Sequence, residues 1–124
     1  MTKIIQALTE VSSNYDALFV DLWGCVHDGV NVFPAAVAAL QQYRKTGGKV
    51  VLLTNAPRHR ANVQEHLESM NLPADSWDTI ASSGDSARAS MFRGAVGEKV
   101  YYIGSGADQT VFDPRSIVKD PVNA

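Results

Sequence analysis

Cysteine is nearly absent from the chain: Cys25 is the single one among 124 residues. An internal disulfide is therefore excluded, and the composition fits a reducing cytoplasm. Cys25 and three dispersed histidines offer no ligand spacing of the zinc type. Neither sign of charge dominates. The net charge of −2 lacks the basic footprint of a nucleic-acid binder. No apolar run approaches the roughly 20 residues that a membrane span requires. Gln6 and Glu10 interrupt the opening MTKIIQALTE before an apolar core of signal-peptide type can form. Internal repeats and low-complexity tracts are absent as well. What is present, 45% hydrophobic and 19% charged residues, is the composition of one soluble globular domain. A domain of this length buries roughly two-thirds of its unfolded surface.

The most informative stretch is YDALFVDLWGCVHDG, residues 15–29. Its apolar run at 17–20 has the length and composition of a strand buried on both faces. Asp21 follows directly, then Gly24, a turn at Asp28-Gly29, and a helical pattern opened by Pro34. A carboxylate at the carboxyl end of a buried parallel strand, facing a Gly-containing loop, stands where open α/β sheets place ligands and chemistry. A residue so placed can also do no more than cap the turn.

Along the rest of the chain, Ile4, Ile5, Leu8 and Val11 predict a short amphipathic helix over 2–12. Val37, Leu40 and Tyr43 mark the buried stripe of a helix over 34–46, stopped by Gly47-Gly48. KVVLL at 49–53 is a second apolar strand, followed at once by Thr54-Asn55. Strand, loop, helix and strand in this order form the βαβ unit of a parallel sheet, so Asp21 and Thr54 should emerge at one end of it. A helix is expected from Ala56-Pro57 to about Asn71, then a weak third strand over 77–81. Ser82-Ser83-Gly84-Asp85 would cap a helix over 85–92, with Arg88 on its solvated face. A fourth strand is expected over 99–103, followed by Gly104-Ser105-Gly106 and a helical turn over 107–112. From Asp113 onward no periodicity is visible.

At Asp21-Leu22-Trp23-Gly24-Cys25-Val26, with Leu52-Leu53-Thr54-Asn55 on the next strand, the sequence resembles the haloacid dehalogenase-like hydrolases. The resemblance covers about residues 15–112 and looks most like the capped class II branch, similar to N-acetylglucosamine-phosphate phosphatase. It implies a three-layer α/β/α parallel sheet with an incomplete core. Residues 1–95 would be the amino-terminal part of the core domain, and 96–124 the start of a cap or a truncated remainder. By resemblance, Asp21 is the nucleophile that forms an aspartyl-phosphate and a ligand of Mg²⁺. The backbone carbonyl of Trp23 would be the second metal ligand. Thr54, helped by Asn55, would bind the substrate phosphate, and Arg58 and His27 are candidates for substrate contacts. The implied partner is a small phosphorylated metabolite, with no nucleic acid and no membrane. Copies are expected to associate through an exposed sheet edge.

Two departures from the family pattern stand out. The second Asp of the first motif, the family's general acid and base, is Trp23 here, and indole transfers no proton. His27 or Asp28 would be substitutes on the same loop, or simply loop residues. The later Lys and acidic pair of the family also have no counterpart after Thr54, so an amino-terminal portion with weak or no activity of its own is expected. The alternative is a non-catalytic module that binds phosphate or a partner. A response-regulator phosphoacceptor fits less well, because its acceptor Asp belongs on a later strand. For several features the plain reading is preferred: Arg58-His59-Arg60 as surface residues, Gly104-Ser105-Gly106 as a tight turn, and Cys25 as small packing. Trp23 either shapes a pocket or fills the volume of the lost acid.

Overall fold

The computed structural model describes residues 4–97, 99–104, 111–112 and 117–118. Three parallel strands, β1 (Ala17–Asp21), β2 (Lys49–Thr54) and β3 (Thr79–Ser82), form a sheet in the order β1-β2-β3. The helices are α1 (Thr9–Ser12), α2 (Pro34–Lys45), α3 (Arg60–Ser69) and α4 (Ser83–Phe92), with a 3-10 turn at Ala74–Ser76. The fold is the expected α/β parallel sheet with flanking helices. Among the described residues, no helix is long and apolar enough to cross a membrane.

Strand alternation decides where the core sits. Val50 and Leu52 of β2 and Ile80 of β3 point to one face of the sheet. There they pack with Val37, Leu40 and Tyr43 of α2 and Val63 and Leu67 of α3, all buried. Leu18 and Val20 join the same cluster from β1. At the alternate positions Phe19 and Leu53 remain 73% and 48% exposed, while Val51 is half-buried. The expectation of a first strand buried on both faces is thus corrected: an apolar run shows that both faces can be covered, not that both are.

Asp78 ties α2 to the entry of the sheet. Its carboxylate accepts from the Val50 N–H (2.8 Å) and from the Arg44 guanidinium (3.0 and 3.1 Å), with Lys49 at 3.6 Å. The Val50 N–H first, then Arg44 and Lys49, hold its pKa below the ordinary 3.8.

Several boundaries differ from the sequence expectation. The first helix spans only Thr9–Ser12, because the Glu10 carboxylate accepts from the Gln6 and Ala7 N–H groups and turns the chain there. The third helix begins at Arg60, not at Ala56-Pro57. His59 is extended and caps it through Nδ1, which accepts from the Ala61 N–H. Arg88 is not simply solvated, since it donates to the Val111 carbonyl (2.9 Å) and lies 4.6 Å over the Phe92 ring. Beyond α4, β4 (Val100–Tyr101) pairs in parallel with β5 (Ile117–Val118), placing a strand in the tail that showed no periodicity. Met91, Val111 and Phe112 make a small second cluster beside this pair. The Ser105-Gly106 part of the glycine turn and residues 107–110 lie outside the described residues.

Candidate active site

Asp21, Thr54 and Ser82 are the last residues of the three parallel strands. Asp21 pairs in register with Leu53, and Thr54 with Ser82. Asp21 and Thr54 therefore do reach the same end of the sheet.

The loop after Asp21 folds because two of its residues are apolar anchors. Leu22 and Val26 are buried, and the Leu22 carbonyl accepts from the N–H groups of Cys25, Val26 and His27. The residues between the anchors, Trp23, Gly24 and Cys25, are left outside. The Gly24 N–H donates to the His27 carbonyl, and the Phe33 N–H to that of Val26, which leads the chain into α2. Asp28 holds the turn: its Oδ1 accepts from Val30 N–H and Asn31 N–H. Those two donors, Asn31 foremost, keep the Asp28 carboxyl below its usual pKa. Asp28 thus serves the turn through both of these bonds. Cys25 is exposed, which corrects its reading as packing; Val26 fills that role. Trp23 is 66% exposed and so shapes a rim instead of filling a void. Its indole lies so close over Gly29 that a Cβ there would collide with it.

His27 is the buried polar member of the loop, 5% exposed. Its Nδ1 accepts from the Gly29 N–H at 3.0 Å, so the neutral ring carries its proton on Nε2. Burial, and next the neighbouring His66, lower its pKa from 6.5, while Asp28 and Asp21 act in the opposite direction. Its ring meets those of Trp23 and His66 edge-on, at centroid distances of 5.8 and 6.0 Å.

A cavity of about 240 Å³ opens beside these rings, lined by Trp23, His27, Thr54, Asn55, Arg58 and His66. Five of these residues were singled out in the sequence. His66 was not, because nothing in a polar stretch of α3 marks a residue that will face a loop nearly 40 positions earlier. Asp21 lies outside this lining. It borders a separate groove along β1, with Phe19, Cys25 and Leu40, and its Oδ1 accepts from the Leu22 N–H at 2.9 Å. Of the basic residues 58–60, only Arg58 reaches the cavity. His59 caps α3, and Arg60 pairs with Asp85 at 2.6 Å.

The Asp21 carboxylate and the Trp23 carbonyl are hard oxygen donors of the kind Mg²⁺ prefers, but that ion requires near-octahedral ligation. Among the described residues no group of three His, Cys, Asp or Glu side chains could hold a metal ion. These residues alone do not make a magnesium site.

A family model described as haloacid dehalogenase-like hydrolase matches residues 18–116. The chain belongs to this family. A crystal structure of a haloacid dehalogenase-like hydrolase from Brucella suis 1330 superimposes with a TM-score of 0.86 at 29% identity, over 98% of this chain and 44% of that one. The haloacid dehalogenase-like chain described here thus spans less than half the length of that relative. Comparison with curated proteins gave no match.

Proposed function

We propose that this haloacid dehalogenase-like chain carries the nucleophile-bearing part of a cytoplasmic phosphoester hydrolase of the capped class II branch, acting on a small phosphorylated metabolite. The observation that carries this reading is the delivery of Asp21 and Thr54 to one end of adjacent parallel strands, within the stretch matched by the family model. One Asp21 carboxylate oxygen attacks phosphorus, the bond to the ester oxygen breaks, and an aspartyl-phosphate forms. The Thr54 hydroxyl already accepts from the Ala56 N–H at 3.2 Å. Its one hydrogen is then left to donate to a phosphate oxygen. The oxygens of Asp21 and Trp23 suit Mg²⁺ in kind and fall short in number, so further oxygen donors are needed before the ion is held, and no step is derived through it. Leaving groups that depart without a proton are favoured, because the position of the family's acid holds the indole of Trp23.

A second reading, a module that binds phosphate or a partner without turnover, is favoured by that same indole and by the incomplete donor set. The deciding experiment is hydrolysis of an aryl phosphate with Mg²⁺, an ester whose leaving group needs little acid help. We expect slow turnover that Asp21→Asn abolishes. Folded protein with no turnover in either form would overturn hydrolysis by this chain on its own and favour the module or a portion without activity of its own.

A further inference from the structure

We propose that Ser83 is a positioning residue for the Thr54 hydroxyl, acting through the Asn55–Ala56 peptide; the inference rests on the reading of Thr54 as a phosphate donor. The Ser83 hydroxyl donates to the Asn55 carbonyl at 2.8 Å and lies 3.0 Å from that of Ala56. In a trans peptide the carbonyl and the following N–H point in opposite directions. With the Asn55 oxygen drawn to Ser83, the Ala56 N–H is aimed away from it, and it donates to Thr54 Oγ1. One rigid plane therefore links the two hydroxyls. Ser83 fixes the plane, and the plane makes Thr54 Oγ1 an acceptor on one side, so that its hydrogen turns to the other.

The flanking contacts keep that plane in place. The Ser82 hydroxyl donates to the Arg58 carbonyl (2.8 Å) and accepts from the Asp85 N–H (3.1 Å). The Gly84 N–H donates to the Ala56 carbonyl (3.2 Å). Asp85 accepts from the backbone N–H and the side chain of Arg60 (3.2 and 2.6 Å). Gly84 is required by proximity, since a Cβ there would fall on the backbone of Arg58. The start of α4 thus grips the loop of residues 55–60 along its length. SSGD, read in the sequence as a helix cap, serves two structures at once.

The test is the affinity of the 124-residue chain for inorganic phosphate, followed by ³¹P line broadening. Ser83→Ala should weaken binding about five- to tenfold, the scale of one lost hydrogen bond, and Ser83→Thr, which retains the hydroxyl, should restore it. The urea midpoint is followed alongside, because a merely structural role would move the midpoint and leave affinity unchanged. Binding as tight in Ser83→Ala as in the unaltered chain, with Thr54→Ala defective, overturns the positioning role and leaves the phosphate reading intact. No binding by the unaltered chain overturns the phosphate reading. The coupling is then decided by exchange of the Ala56 amide hydrogen: acceleration in Ser83→Ala upholds it, and an unchanged rate overturns it.

Discussion

The two faces of the three-stranded sheet are built from the same apolar runs and meet opposite fates. On one face, Val50, Leu52 and Ile80 lie beneath α2 and α3 and are buried to within a few percent. On the other, Phe19 and Leu53 look outward from the adjacent positions. Residue type cannot account for this difference, because Leu52 and Leu53 are the same amino acid, one position apart. Among the described residues, what differs is whether α2 and α3 cover the side chain. Burial at about 25 cal/mol per Å² of apolar surface therefore stabilises the first face and does little for the second.

The largest test of this contrast compares those two leucines. Leu52→Ala removes a fully buried side chain between strand and helices and should lower unfolding free energy by about 3 kcal/mol. Leu53→Ala, at a half-exposed site, should cost under about 1 kcal/mol. Urea unfolding measures both. Equal losses would mean that the second face is covered in solution.

A smaller effect is expected where the helical layer is pinned to the sheet. Asp78→Ala leaves the N–H of the buried Val50 and the Arg44 guanidinium without this acceptor, for a loss of about 2 kcal/mol. The pH dependence has a definite sign. Because the folded state holds Asp78 below 3.8, the unfolded chain binds the proton more readily, and stability rises with pH across that window. The margin of the unaltered chain over the variant should be full above about pH 5 and shrink as pH falls through 3.8 toward the lowered value. A margin that is flat down to pH 3 would show that the charge on Asp78 is not what pins α2.

The same contrast marks what was legible in the sequence. Strand ends were clear, because an apolar run stopping at Asp21 or Thr54 is a local signal, and the strand-helix-strand order then brings both to one end of the sheet. The identity of the covered face was not, since ALFV and VVLL carry apolar side chains in both directions. Long-range partners were equally hidden. The sequence puts the start of α3 at Ala56-Pro57, and it lies at Arg60 because residues 55–58 are held out of the helix by Ser82 and Ser83, more than 20 positions later. His66 gives no sign in a polar helix that it faces His27. The loop residues Trp23, His27 and Asp28 stand out as a group by their nearness to Asp21, but only burial sets the ring of His27 apart, and only hydrogen bonds identify Asp28 as the turn residue.

The smallest effect on the monomer, and the one that speaks most directly to the open face, belongs to Phe19. It lies in the centre of β1, at the end of the strand order β1-β2-β3, so one side of its backbone is an edge. An exposed apolar strand at an edge is a template for pairing with another chain. We expect the unaltered protein to self-associate with rising concentration through β1. Phe19→Ser should change monomer stability by no more than about 0.5 kcal/mol, as for other exposed sites, while shifting association to higher concentration. Sedimentation velocity over a concentration series distinguishes the two effects. If Phe19→Ser associates as the unaltered chain does, copies meet elsewhere, and the open face of β1 is not the surface that joins them. If association weakens while the urea midpoint stays fixed, the face that adds nothing to the monomer is the one that governs its contacts with other chains.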